Sequence, residues 1–249
     1  MIVIKDKNSI NKMRTAGKLI AEIMEKVKNI ISPNISTFEI DVFIEKSMVA
    51  VGLKPVCKGY AGYKFATCIS LNNVVIHGIP SKDILLKSGD LLKIDVVGSY
   101  KNYCADITRS YYVEEVSSVV KKITQVAQFS LDLAIKECFV GNFLSNLSAT
   151  MQQEVEKFGF GVVRDFAGHG IGRDIHESPE IPNYGKFGEG PLLRSGMTFA
   201  IEPMITEKSY KVFVDSDGWT VKTVDGGLAA HVEDTVLITE NGPEVLTRL

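Results

Sequence analysis

Phe166-Ala167-Gly168-His169-Gly170-Ile171-Gly172 sets a histidine between two glycines, and His176 follows four residues after Gly172. Glycines on both sides let the backbone approach a ligand closely, which the packing of a core histidine does not require. Arg173 stands where G-x-G-x-x-G needs its last glycine, which argues against dinucleotide binding. His176-Glu177 does not begin H-E-x-x-H, because position 180 is Glu, and the thermolysin-like zinc reading falls with it. On this stretch alone, two satisfied core histidines remain an alternative, and the carboxylates elsewhere in the chain decide the matter.

Leu91-Leu92-Lys93-Ile94-Asp95-Val96-Val97 and Tyr103-Cys104-Ala105-Asp106-Ile107-Thr108 read as two strands joined by a short turn around residues 99–102. A four-residue loop there places Asp95 directly opposite Asp106, with Cβ atoms about 5 Å apart. Like charges facing each other on a half-buried hairpin are destabilising, so a positive group is expected between them. Glu202 lies inside the apolar run Thr198 to Met204, and Glu233 inside Leu228 to Ile238. An exposed strand face accounts for any one of these residues, but it is a poor account of four together with a glycine-flanked His169. Two Asp, two Glu and one His form an oxygen-rich set suited to two divalent ions sharing bridging carboxylates. The ligand type favours Mn, Fe or Co over a structural, cysteine-bound zinc site.

The elements that carry these residues fall in a repeating order. Apolar residues at helical spacing run from Ile10 to Ile30, ahead of Ser32-Pro33. Ser36 with Glu39 makes a capping box for a second helix that Gly52 ends. Short β-type runs with turn signals fill 54–113. Val116 to Ile135 predicts a third helix up to the Gly141 break, Leu144 to Phe158 a fourth, and strand-like runs occupy most of 161–249. Two helices then strands, twice over, implies an α+β chain of duplicated halves, about 1–113 and 114–249, with central sheets and a site between the halves. At 249 residues, 45% hydrophobic and 23% charged, the chain can bury a full core as a single domain. A net charge of −2 gives no electrostatic reason to expect nucleic acid. Residues 1–6 turn charged too early for a signal peptide, no apolar run is long enough for a bilayer, and the four cysteines form no C-x-x-C pair, which together fit a reducing cytoplasm.

Along nearly its whole length the sequence resembles the type I methionine aminopeptidases in their short bacterial form. The matching stretches are Cys57 to Tyr63, Asn73 to Pro80 with His77, Ile94-Asp95-Val96, Asp106, Phe166 to Tyr184, Gly196 to Pro203, Asp217 to Thr220 with Trp219, and Glu233. The resemblance implies a pita-bread α+β fold with antiparallel central sheets and helices outside. It implies Asp95, Asp106, His169, Glu202 and Glu233 as ligands of two divalent ions per chain (Co, Mn, Fe or Zn), with Asp106 and Glu233 bridging. Departures from the pattern stand at Cys104 (usually His), Lys64-Phe65 (a Pro-Lys type pair), Ile175 (an aromatic) and His231-Val232-Glu233-Asp234 (a Gln-Tyr-Glu-His type run).

The implied activity is removal of the N-terminal methionine from nascent proteins whose second residue is small, by attack of a metal-bridging hydroxide on the peptide carbonyl. Glu202 then shuttles the proton, His176 donates to the developing oxyanion and His77 contacts the scissile amide. Cys57, Tyr60, Tyr63, Cys68 and Trp219 match the methionine pocket, with Ile175 beside it, and aromatic faces and thiols suit a thioether. The partners expected are a nascent polypeptide near the ribosome, no nucleic acid and no membrane, with the enzyme a monomer. A prolidase-type hydrolase, or a peptide-binding module on the same fold without metals, are the rival classes. Strand alternation puts His231 on the face of Glu233, where it is expected to hydrogen-bond a ligand or a bound water.

Overall fold

The computed structural model describes all of residues 1–249. Four helices stand where the apolar periodicity places them: α1 Lys7–Val27, α2 Thr37–Ala50, α3 Ser118–Lys136 and α4 Leu144–Lys157. Asp6 caps α1 by accepting from Ser9 N at 2.7 Å. The expected capping box opens α2, with Glu39 N donating to Ser36 Oγ and Ser36 N donating to Glu39 Oε2. α1 stops short of Ile30 because Asn29 N and Ile30 N bond three residues back, a tightened turn that closes the helix before Ser32-Pro33.

The strands form one nine-stranded antiparallel sheet and two three-stranded sheets. At the centre of the large sheet is a hairpin of Leu91–Tyr100 and Tyr103–Tyr112. Thr67–Leu71 and Lys54–Pro55 extend it on one side, and Glu233–Thr239, Thr198–Ile201, Ala167–Gly170 and Glu177–Pro182 follow on the other. The chain's two parts therefore meet in the large sheet where Glu233 pairs with Thr108 and Asp234 with Ile107, and again in a small sheet where Val74–Ile76 pairs with Val221–Thr223. Arg109 clasps the seam in the large sheet by donating to Glu233 O at 2.6 Å and to Asp234 Oδ1 at 2.7 Å.

Period-two alternation decides which face each residue serves. Leu92, Ile94, Val96, Ala105 and Ile107 turn outward and pack with Ile20, Met24, Ile40 and Ile44 of α1 and α2. Phe199, Ile201, Val236 and Ile238 do the same against Ile123, Leu131, Leu147 and Met151 of α3 and α4. Asp95, Asp106, Thr108 and Glu233 are thereby left on the inner face.

The hairpin corrects one expectation. Its turn is the two residues Lys101-Asn102, both at positive φ (48° and 66°), rather than a four-residue loop. Positive φ at both central positions matches the twist of the flanking strands, and Asn tolerates that conformation well. Tyr100 therefore pairs with Tyr103, Asp95 with Thr108 and Asp106 with Val97. The two aspartates share a face as diagonal neighbours, not as a directly opposed pair.

Asp41 of α2 ties the helix layer to this sheet. Its buried Oδ1 accepts from Ala66 N, Thr67 N and Thr67 Oγ1 at 2.8 to 3.0 Å, fixing the start of the strand that carries Cys68. Asp41→Ala strips two buried amides of their acceptor and is expected to cost roughly 3 kcal/mol of stability, read as a lower midpoint of urea unfolding with an unchanged slope. A loss below about 0.5 kcal/mol, the range of ordinary surface substitutions, would contradict this anchoring role.

Candidate metal centre and adjoining cavity

Glu202 follows directly on the Thr198–Ile201 strand, and its run does not continue as one strand because Pro203 separates it from Met204–Thr206. Glu233 opens its own strand after Ala229–His231. His169 lies in Ala167–Gly170, paired with Ala200. Both glycines beside it are needed for close backbone approach: a Cβ at Gly168 would meet Ala200 O at 2.6 Å, and one at Gly170 would meet Ser178 O at 2.3 Å.

These elements bring Asp95, Asp106, His169, Glu202 and Glu233 to a single cavity of about 130 Å3, together with His77, His176, Cys57, Tyr60, Tyr63, Cys68, Ile175 and Trp219. Ligand atoms of Asp106, His169 and Glu233 lie within 4.8 Å of one another, and so do those of Glu202, His231 and Glu233. His169 Nε2 is 3.9 Å from Asp106 Oδ2 and 3.6 Å from Glu202 Oε1. Its Nδ1 stands 3.0 Å from Gly170 O; a carbonyl only accepts, so Nδ1 carries the proton and Nε2 offers a lone pair. Burial holds the His169 imidazole down to about 4, neutral as a ligand must be.

The carboxylates titrate in the opposite sense. Burial, then the neighbouring charges of Glu233 and Asp95, hold Asp106 well above the usual carboxylate range. Burial and the charges of Glu202 and Asp95 do the same to Glu233, and burial and Asp95 to Glu202. Thr108 Oγ1 donates to Glu233 Oε2 at 2.9 Å, yet Asp106 Oδ1 and Glu233 Oε1 are buried without any hydrogen-bond partner. Buried oxygens of this kind ordinarily have partners, and a divalent cation is the partner that the clustered charge calls for. The donor set therefore fits a metal centre.

Next to the carboxylates the cavity turns soft and aromatic. Tyr63 and Trp219 rings stand 5.0 Å apart, and Tyr63 O–H donates to Thr67 O. Burial drives the Cys57 and Cys68 thiols well above their ordinary value, so both remain protonated and apolar in behaviour. His77 sits at positive φ (58°), with its ring edge-on to Phe166 and Trp219, and burial holds it down to about 4. His176 stacks edge-on 4.4 Å from His169, and its Nδ1 is 3.0 Å from Tyr60 Oη. His231 Nε2 is 3.1 Å from Glu202 Oε2, so it does contact one of the acidic residues singled out in the sequence. A second, open cavity of about 590 Å3 shares His169 and His176 and extends along Phe166 and Glu180 to Tyr184.

Some members of the site escaped the sequence. Val97 and Thr108 share the inner face with Asp95 and Asp106, two residues along the same strands, and alternation alone could have found them. Lys93, fully buried and donating to Asn72 O and Ala229 O, has no signal in an otherwise apolar strand.

An antiparallel sheet lined by helices and holding an Asp, Asp, His, Glu, Glu cluster defines a metallopeptidase, and the chain belongs to metallopeptidase family M24, whose model matches residues 11–240. It is 44% identical over 247 residues to a methionine aminopeptidase of Clostridium perfringens, covering 99% of each chain. The crystal structure of methionine aminopeptidase from Thermotoga maritima superposes with a TM-score of 0.98 at 43% identity, over 100% of both chains. A prolidase from Pyrococcus furiosus shares the fold at a TM-score of 0.81 and 25% identity, with only 66% of that chain covered. The pita-bread expectation holds in the architecture itself.

Metal-free, the cluster should weaken the protein at neutral pH. A carboxyl whose folded pKa lies above its unfolded value of 4.5 favours the folded state below that value, and the benefit is lost as pH rises. Glu233→Gln removes one such charge, so the metal-free variant is expected to be more stable than metal-free wild type at pH 7 by at least about 1 kcal/mol, the free energy of a roughly tenfold change in proton affinity. The advantage should fade as pH falls toward 4.5, and a divalent ion should stabilise the wild type more than the variant. Equal stability of the two metal-free proteins at pH 7 would refute the like-charge reading.

Proposed function

We propose that the protein is a metal-dependent aminopeptidase that removes the N-terminal methionine from nascent chains with a small second residue. The observation that carries this reading is the small cavity of thiols and aromatic rings set directly against the carboxylate cluster. Room for one side chain on that side, with the larger open cavity on the other, suits cleavage after a single residue. The whole of 1–249 acts as one catalytic domain and as a monomer in the cytoplasm, meeting its substrate near the ribosome.

Asp95, Asp106, His169, Glu202 and Glu233 would hold two divalent ions, Asp106 and Glu233 serving both; Co, Mn, Fe and Zn all suit such donors. Bound there, the ions supply Lewis acidity and an activated water. Glu202 receives the proton released as the peptide carbonyl is attacked and passes it to the leaving amine. His176 donates to the carbonyl oxygen as charge develops on it, and His77 holds the scissile amide. Cys57, Tyr60, Tyr63, Cys68, Ile175 and Trp219 enclose the methionine thioether. His231 orients Glu202 through their hydrogen bond.

Incubation of metal-loaded protein with Met-Ala, Met-Leu and Ala-Pro peptides tests the reading. Methionine should be released from the Met-Ala peptide far faster than from Met-Leu, with Ala-Pro untouched, and chelation should stop the reaction until Mn or Co is returned. Cleavage of Ala-Pro instead would assign a prolidase-type activity, and no cleavage of any peptide would leave only a binding module.

Two histidine variants separate the assigned roles. His176→Ala should keep both metals and lose roughly 10² or more in turnover, the cost of one oxyanion donor. His231→Gln should also keep both metals and change turnover by no more than about tenfold. Metal analysis decides the point, since loss of an ion in either variant would make that histidine a ligand.

A further inference from the structure

We propose that Lys5 is a positioning residue for His176, which makes the N-terminal segment ahead of α1 a working part of the site. The proposal rests on the oxyanion role assigned to His176 above. Lys5 is buried, with its side chain 3% exposed, and its Nζ donates to Glu177 Oε2 at 2.6 Å. Glu177 immediately follows His176 in the chain. Its other oxygen, Oε1, accepts from Arg173 N at 2.8 Å and Asp174 N at 3.4 Å, closing the loop that presents His176.

The surroundings are built for this pair. A Cβ at Gly172 would lie 2.4 Å from Glu177 Oε1 and 2.6 Å from Lys5 Cε, so the last glycine of the Gly168 to Gly172 series makes room for the ion pair. Lys5 N donates to Gly196 O at 2.8 Å, and a Cβ at Gly196 would meet Ile4 Cγ2 at 2.7 Å, which seats residues 4 and 5 firmly. Cys104 N donates to Gly172 O at 2.7 Å and Arg173 Nε to Tyr103 Oη at 3.1 Å, fastening the front of the same loop to the central hairpin. At the back of the loop His176 runs into the Glu177–Pro182 strand, where Glu177 pairs with Gly170, and its ring meets the Tyr60 hydroxyl and the His169 ring.

A buried charge that loses its partner is strongly disfavoured, so without Lys5 the Glu177 carboxylate turns toward water and releases the loop. Misplacing a group that acts on developing charge reduces turnover more than substrate binding. Lys5→Met keeps an unbranched apolar stem of nearly the same reach and removes the ammonium, with its charge and its hydrogen bonds to Glu177 and Val3 O.

The test measures kcat and KM on a Met-Ala peptide for wild type, Lys5→Met, His176→Ala and the double variant, all metal-loaded, with the metal content of each determined. Lys5→Met should retain both metals, lose roughly ten- to a hundredfold in kcat and change KM by less than about threefold, the signature of an interaction made in the transition state. In the His176→Ala background the same substitution should cost nothing further. Equal losses in both backgrounds, or unchanged kcat in Lys5→Met, would overturn the proposal. If His176→Ala alone proves harmless, the assigned role of His176 fails first and this inference with it. Because the chain has four histidines, imidazole NMR of the metal-free protein gives an independent readout. The His176 signal should move or broaden in Lys5→Met while that of His231 stays, and an unmoved His176 signal would also overturn the proposal. Should Lys5→Met fail to fold, Glu177→Gln carries the same cycle from the other side of the pair.

Discussion

Asp95, Asp106, Glu202 and Glu233 meet on one face of the central sheet with neutral imidazoles beside them, and Asp106 and Glu233 are buried there. An uncompensated charge in such a place costs several kcal/mol, more than most single interactions in a protein can return. One hydroxyl relieves part of that cost, since Thr108 donates to the Glu233 carboxylate, while Thr235 ties down the Asp106 backbone by accepting from its amide and donating to its carbonyl. Two carboxylate oxygens are left with nothing. A structure that ties down the surrounding backbone while leaving these two atoms bare is suited to a cation.

Holding such a cluster requires a frame that does not relax to spread the charges apart. The frame is the seam at which Tyr103–Tyr112 meets Glu233–Thr239, because Asp106 and Glu233 lie on its two sides. On the outer face of that seam Asp234, fully buried, accepts from Arg109, Arg248 and the Thr247 hydroxyl. Opposite charges are therefore paired on the outside of the sheet while like charges crowd on the inside. The helices then seal the sheet with two apolar cores, one for each part of the chain. Pulling the inner carboxylates apart would break the outer pairs and both cores together, which is why local repulsion does not open the seam.

Much of this was legible in the residue order, for physical reasons that differ from element to element. α2 could be read almost to the residue because its capping box and closing glycine are local signals. The inner face could be read because alternation is local too. The register of the hairpin could not, since Tyr100 to Tyr103 is compatible with either a four-residue or a two-residue loop, and only the positive φ of Lys101 and Asn102 decides. Lys5 and Asp41 were missed because each acts at a distance in sequence, on Glu177 and on Thr67, and nothing near either residue marks it. Two of the departures from the family pattern settle into packing. Cys104, its thiol pushed up to about 12 by burial, faces Arg173 O, and Phe65 stacks edge-on to Tyr63 behind the cavity.

All four histidines of the chain stand in or against this one site, and what distinguishes them is which ring nitrogen is already engaged. His169 has Nδ1 on a backbone carbonyl, which leaves Nε2 a lone-pair donor facing Asp106 and Glu202. His231 has Nε2 toward Glu202 Oε2, and the protonation of Glu202 sets the direction of the bond: the ionised carboxylate accepts from Nε2–H, the protonated one donates to the Nε2 lone pair. His176 has Nδ1 against the Tyr60 hydroxyl, which can donate or accept. Donation from Tyr60 places the ring proton on Nε2, and only that tautomer can give a hydrogen bond from Nε2 to a carbonyl oxygen in the cavity. His77 has no such partner and is kept neutral by burial among aromatic edges. The partner given to a ring nitrogen thus sets three of the four apart: His169 offers a lone pair, His231 is tied to a carboxylate and His176 can present Nε2–H to the cavity, while burial sets His77.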